Sequence, residues 1–133
     1  MRAAVLAVAL LVATGCASRG TSSGHGKAAA ISASLAISVS LGRTEAPTKL
    51  WTLHCPPGGT LPHPARACER LAAIDKPFAP VPRNVACTEI YGGPQVAEVR
   101  GTFRGRKVNA RFTRTDGCEI ARWNKVRFLF PRS

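Results

Sequence analysis

The sequence has few of the residues on which enzymes and metal proteins depend. It contains three histidines, and none of them lies in a motif with a paired carboxylate or a nucleophile, so nothing supplies a nucleophile with its base. There is no Cys-x-x-Cys pair, and His25, His54 and His63 lack the spacing of zinc ligands. We therefore expect no enzyme, no metal site and no other cofactor.

Acidic and aromatic residues are also scarce. Seven Asp and Glu face nineteen Lys and Arg, which gives a formal net charge of +12, and aromatic residues make up 6% of the chain. The basic residues are concentrated late in the sequence, where Arg104, Arg106 and Lys107 surround a predicted turn and Arg100 and Arg111 share a polar face. Such a field attracts anionic partners, for example a membrane or a wall polymer. The low aromatic content and the lack of a binding motif argue against nucleic acid.

No apolar run at the N-terminus is long enough to span a bilayer. Ala3 to Val12 forms a run of ten apolar residues after Arg2, which is typical of a signal peptide. The next residues, Ala13 to Cys16, match the processing pattern of bacterial lipoproteins, with ordinary signal cleavage near Cys16 as the alternative. We predict a lipoprotein signal over 1–15, a lipid on Cys16, a flexible Gly/Ser/Ala tether over 16–30 and a folded domain over 31–133. The mature protein is thus expected to be secreted or extracytoplasmic, anchored to the cell membrane through its lipid.

The cysteine count supports lipidation. The chain has five cysteines, and an odd number in an exported protein requires an explanation for one of them. If Cys16 carries the lipid, Cys55, Cys68, Cys87 and Cys118 can form two disulfides, which export favours. Each bridge would stabilise the domain by about 3 kcal/mol. Four cysteines allow three connectivities, and the sequence alone does not choose among them.

Apolar periodicity predicts the secondary structure. In the first strand, Leu35, Ile37, Val39 and Leu41 alternate with mainly serine, which indicates a half-buried strand. A helix is expected to begin at Pro64, a preferred first-turn residue, and to end before Pro77. Asp116 and Glu119 form a capping-box-like pair that predicts a second short helix containing Cys118. The predicted strands are 34–41, 49–55, 96–104, 107–113 and 125–130. The fold class is therefore α+β, a five-stranded antiparallel sheet with two short helices and two disulfides.

The segment from Cys87 to Tyr91 has neither helical periodicity nor catalytic neighbours. It follows a proline-rich stretch and begins at a cysteine, so it is predicted to form an exposed, substrate-shaped loop tethered by a disulfide. The alternative is an irregular link between a loop and a strand that has no target.

The ordered set of motifs resembles the Streptomyces subtilisin inhibitor family. The likeness runs from about residue 35 to 130 and includes Cys55, Gly58-Gly59-Thr60, Pro64, Cys68, Cys87, Ile90-Tyr91, Gly101 to Gly105 and Cys118. The resemblance implies an inhibitor of serine proteases such as subtilisin that is secreted and often dimeric. It also implies the disulfides Cys55–Cys68 and Cys87–Cys118.

By the same resemblance, the reactive bond is Glu89–Ile90, and Cys87, Thr88 and Tyr91 contact the protease. Family members often have Met, Lys or Arg where this chain has Glu89, so a glutamate-preferring serine protease is the expected target as an alternative to a subtilisin-like one. Gly92-Gly93-Pro94 replaces the family's usual Asp-Pro step and is expected to loosen the exit side of the loop. The alternative function is a basic envelope lipoprotein that binds anionic surfaces and no longer inhibits.

Overall fold

The computed structural model describes residues 30–42, 47 and 49–131. The predicted signal peptide, Cys16 and nearly all of the predicted tether lie outside these residues. In the described part, four strands form one antiparallel sheet in the order β2-β1-β3-β4. The strands are β1 (Ala33–Ser40), β2 (Lys49–Cys55), β3 (Val96–Phe103) and β4 (Arg106–Phe112), and the helices are α1 (Pro64–Ala72) and α2 (Gly117–Val126).

One face of the sheet forms the core and the other faces solvent. Leu35 and Ile37 of β1, Leu53 of β2, Val99 of β3 and Phe112 of β4 are at most 2% exposed. The alternation of apolar and serine residues in β1 thus places the core face as predicted. Leu41 was predicted to continue this face, but the strand ends at Ser40 and Leu41 is 53% exposed.

The two helices lie against the core face. Ala67, Cys68 and Leu71 of α1 are buried, and the Cys55–Cys68 disulfide joins the end of β2 to this helix. The Asp116 side chain caps α2 by accepting a hydrogen bond from the backbone N–H of Glu119, as the capping pair predicted. No helix among the described residues is long and apolar enough to cross a membrane.

The predicted fifth strand over 125–130 is wrong. This stretch forms the end of α2 and a 3₁₀ turn, Arg127–Leu129. Val126, Phe128 and Phe130 alternate as in a strand, but the buried residues are Val126, Leu129 and Phe130, which follow helical spacing. After Gly117, the first residue of α2, the sequence contains no Gly or Pro before Pro131. The fold is therefore α+β with four strands, two helices and two disulfides.

Arg104 connects the β3–β4 hairpin to α1. Both turn residues have positive φ, 48° at Arg104 and 74° at Gly105, as two-residue hairpins with a right-handed twist require. The guanidinium of Arg104 donates to the carbonyl oxygens of Ala72 at 2.9 Å and Asp75 at 3.2 Å, at the C-terminal end of the helix. It also lies 4.9 Å from the centre of the Phe103 ring.

We expect Arg104→Ala to lower the free energy of unfolding by about 1–2 kcal/mol, because two charge-assisted hydrogen bonds are lost. Urea denaturation measures this change. Arg106→Ala is the matched control, since Arg106 is the next exposed arginine in the hairpin. Equal midpoints for the two variants would show that the contacts of Arg104 with α1 do not contribute to stability.

Candidate functional site

The predicted reactive segment lies on the surface. Residues 73–95 connect α1 to β3 without a further helix or strand. Within this connection, every residue from 82 to 91 is exposed. Ile90 is 58% exposed and Tyr91 is 66% exposed. Two large apolar side chains that could have been buried are instead presented to solvent, which makes this loop accessible to a macromolecular partner.

The loop is fixed on the N-terminal side of Glu89. Cys87 forms a disulfide with Cys118, near the start of α2. The next residue, Thr88, accepts a hydrogen bond through its carbonyl oxygen from the backbone N–H of Gly117 at 2.9 Å. A covalent bond and a backbone hydrogen bond therefore hold two consecutive residues directly before Glu89.

The loop is also fixed on the C-terminal side of Tyr91. The backbone N–H of Gly92 donates to the carbonyl oxygen of Arg114 at 2.7 Å. A Cβ atom at Gly92 would lie 2.9 Å from Ile120 Cδ1, so a larger residue here would require the Ile120 side chain to shift. The sequence predicted that the glycines loosen the exit side, whereas the backbone N–H of Gly92 is hydrogen-bonded to Arg114.

Glu89, Ile90 and Tyr91 are the three residues between these anchors. Both anchors are supplied by one short segment, residues 114–118, which follows β4 and includes the first two residues of α2. We call this segment the clamp. The arrangement holds an exposed tripeptide at both ends, so little conformational entropy remains to be lost when a partner binds the loop.

Arg122 connects α2 with the sheet and with the segment before the loop. Its guanidinium pairs with Glu119 at 2.9 Å, and the side chains of both residues are largely buried. It also donates to the carbonyl oxygens of Ala79, which lies in the connection between α1 and β3, and Arg111, near the end of β4. One side chain therefore ties α2 to the sheet and to the segment that leads into the loop.

Sequence reasoning did not identify the clamp or Arg122. A signal for the clamp was present, because a Cys87–Cys118 bond brings the neighbours of one cysteine to the neighbours of the other. Nothing in the sequence singled out Arg122 among nineteen basic residues.

The sulfur atoms of Cys87 and Cys118 lie close to an Asp116 carboxylate oxygen, an arrangement that resembles a metal site. The two sulfur atoms are bonded to each other, and disulfide sulfurs are not the thiolate ligands that metals require. Both disulfides are the pairs that the resemblance implied. The four cysteines in the described part of the chain are therefore structural.

The chain is similar in sequence and in fold to known proteins. Residues 30–115 match the model of the family described as subtilisin inhibitor-like. The sequence is 37% identical over 82 residues to subtilisin inhibitor-like protein 5 of Streptomyces fradiae, an alignment that covers 59% of this chain and 76% of that protein. The fold is similar to that of sermetstatin of Streptomyces caespitosus, solved in complex with Bacillus licheniformis subtilisin. This match has a TM-score of 0.50 and 21% identity, and it covers 77% of this chain and 99% of sermetstatin.

Proposed function

Because the chain belongs to the subtilisin inhibitor-like family, we propose that it inhibits a serine protease by presenting Glu89–Ile90 as a reactive bond. The family is one of inhibitors, not of enzymes. The observation that supports this bond most directly is the clamp, which holds Thr88 and Gly92 on the two sides of an exposed tripeptide. Cys87, Thr88 and Tyr91 are the neighbours that would contact the protease.

The mechanism follows from the tethering. The serine of the protease attacks the carbonyl carbon of Glu89, the Glu89–Ile90 bond breaks, and the released amine of Ile90 takes up a proton. The Cys87–Cys118 disulfide connects the two sides of the cut covalently, while the backbone N–H of Gly92 stays hydrogen-bonded to Arg114. The amine therefore remains close to the acyl-enzyme and re-forms the peptide bond in competition with hydrolysis by water.

Glu89 sets the expected target class. Its side chain would enter the specificity pocket of the protease, and transfer of a carboxylate from water into an apolar pocket costs several kcal/mol unless donors meet it. A glutamate-preferring serine protease provides such donors, whereas a subtilisin-like enzyme with an apolar pocket does not. We therefore propose the former as the tighter-binding partner.

A panel of serine proteases tests the function. The domain without residues 1–29 is titrated against a glutamate-specific enzyme, subtilisin and trypsin, and residual activity is measured. Tight inhibition of the glutamate-specific enzyme, with cleavage mapped by mass spectrometry to Glu89–Ile90, is the expected result. Absence of inhibition across the panel, or cleavage elsewhere without cleavage at this bond, would refute the proposal.

We also propose that the mature protein is anchored outside the cytoplasm by a lipid on Cys16. The support is the sequence pattern of Ala13 to Cys16 and the pairing of the other four cysteines with one another. Cys16→Ser should move the protein from the membrane fraction of a producing bacterium to the soluble fraction, as detected by immunoblotting. Retention of the variant in the membrane fraction would count against lipidation.

The alternative function, binding to anionic surfaces, depends on how many basic side chains are free. Arg100 and Arg111 both pair with Glu98, and Arg104 is bonded to the end of α1, so three of the five clustered cations already have partners within the domain. Salt-sensitive binding to anionic liposomes by a domain that inhibits no protease would favour this alternative.

The dimer that the resemblance implied stays a prediction, which sedimentation analysis can test.

A further inference from the structure

An open cleft of about 770 Å³ lies between the sheet, the residues before α1 and the C-terminal end of α2. This volume is in the range of small-molecule sites. Its aromatic lining residues are Trp51 of β2, Trp123 of α2, and Phe128 and Phe130 that follow it. Trp123 packs on Phe130 with 4.6 Å between ring centres, so this wall of the cleft is an ordered aromatic surface. Such surfaces stack well on flat rings.

Among the residues that the structure describes, the Lys and Arg residues of the cleft have no acidic counterpart in its lining. Lys49, Arg114 and Arg127 line it, and among the described residues no Asp or Glu does so. Lys49 and Arg127 are exposed to solvent, while Arg114 is half-buried. A concave, partly apolar surface with several cations and no carboxylate creates a positive potential that concentrates anions.

Arg114 lacks the partner that its burial calls for. Its Nε atom is buried and has no hydrogen-bond partner within residues 30–42, 47 and 49–131. Nη1 makes one contact, 3.3 Å long, with the neutral Oε1 of Gln95, and the three ion pairs of the described part do not include Arg114. An unsatisfied buried donor is unfavourable. The residue lines the cleft, and guanidinium N–H groups that reach a cleft bind the oxygen atoms of carboxylate and phosphate.

The guanidinium of Arg114 is also next to the aromatic wall. Its central carbon lies 6.0 Å from the centre of the Trp123 ring. A ligand with an oxyanion on Arg114 could therefore place an attached ring against Trp123.

We propose that this cleft is a binding site for a small anion, a phosphate or carboxylate attached to a flat or sugar ring. Arg114 and Arg127 would bind the anionic group, and Trp51 and Trp123 would bind the ring. The proposal does not depend on protease inhibition, because the cleft does not include Glu89, Ile90 or Tyr91.

The chain provides its own probe for this site. Its two tryptophans, Trp51 and Trp123, both line the cleft, so tryptophan fluorescence and the two indole N–H signals in NMR report on it directly. The domain is titrated with phenyl phosphate at moderate salt. Phenol and inorganic phosphate supply the ring and the anion separately, and glucose 1-phosphate distinguishes a sugar ring from an aryl ring.

We expect saturable binding of phenyl phosphate or glucose 1-phosphate that shifts both indole signals, with phenol and inorganic phosphate at least about tenfold weaker. Arg114→Gln and Arg127→Gln should each weaken binding about tenfold or more, since each removes a charged donor. Arg127 is exposed, so its variant tests the site even if Arg114→Gln does not fold. Arg106→Gln is the control, because it removes the same charge from the start of β4, outside the cleft.

Three results would overturn the proposal. The first is no saturable change at either tryptophan with any anionic probe. The second is equal affinity for phenol and phenyl phosphate, which would mean an apolar groove without anion recognition. The third is equal weakening by Arg106→Gln and Arg127→Gln, which would mean attraction by net charge alone. None of these results bears on the protease panel, so failure of this site and failure of the inhibitory function are distinguishable.

Discussion

Replacing Cys87 and Cys118 together by serine is expected to convert the inhibitor into a substrate. The Glu89–Ile90 bond lies between these cysteines in the sequence, so their disulfide is the covalent link between the two halves of a cut chain. Without it, the hydrogen bond from Gly117 to Thr88 is the remaining anchor directly before the new terminus at Glu89, and we expect hydrolysis to become faster than religation. The apparent inhibition constant should rise at least about a hundredfold, as expected when a tether that gives a high effective concentration is lost. Progress curves of residual protease activity should show inhibition that fades with time.

The control is the double variant Cys55→Ser, Cys68→Ser. It removes the other disulfide, which lies entirely on the N-terminal side of the reactive bond, with a comparable loss of stability of about 3 kcal/mol. Circular dichroism at the assay temperature establishes that both variants are folded. If both lose inhibition to the same extent, stability and not tethering is responsible. If the Cys87, Cys118 variant inhibits as stably as the wild type, the clamp's backbone hydrogen bonds suffice and the covalent link is not required.

The second large effect is expected from Glu89→Met. Methionine removes the cost of placing a carboxylate in an apolar specificity pocket, which is several kcal/mol. Inhibition of subtilisin should therefore improve by about two to three orders of magnitude, since each 1.4 kcal/mol is tenfold. Inhibition of a glutamate-specific protease should weaken by a similar factor. Inhibition constants for both enzymes, measured side by side, give the change in preference.

Glu69→Met is the matched control for this exchange. Glu69 is an exposed acid on α1, outside the loop and the clamp, so its variant makes the same change in charge and hydrophobicity elsewhere. It should leave both inhibition constants unchanged. Equal shifts for the two variants would assign the effect to overall charge and would remove Glu89 from the specificity-determining position.

The sheet was largely predictable, because the alternation of buried and exposed residues that marks a strand is visible within a few consecutive residues. In β1, the alternation of Leu35 and Ile37 with serine is enough to assign both the strand and its buried face. The end of the chain was not predictable in this way, because Val126, Phe128 and Phe130 satisfy a period of two while Val126, Leu129 and Phe130 satisfy helical spacing. Asp116, ten residues before Val126, decides between them by starting α2, which reaches Val126 and is followed directly by the 3₁₀ turn.

The position of the loop was predictable, but the hydrogen bonds that fix its two ends were not. Cys87 and the prolines before it indicate an exposed, tethered segment. The hydrogen bonds between Thr88 and Gly117 and between Gly92 and Arg114 join backbone atoms. Because every residue has these atoms, the residue types in the sequence do not predict the two bonds. The aromatic and cationic cleft was not predicted for a related reason. Trp51 and Trp123 are far apart in the sequence, and they line one cleft only because α2 packs next to the sheet.

The strand order has a consequence for a molecule cut at residue 89. One fragment would contain β1, β2 and α1, and the other β3, β4 and α2. The central pairing of the sheet, β1 with β3 over eight positions, would therefore run between two separate polypeptides. Fragments 30–89 and 90–133 produced independently should thus find each other and reassemble, in the manner of a split reporter, and the extent of this complementation would measure how much of the architecture survives a break in the backbone.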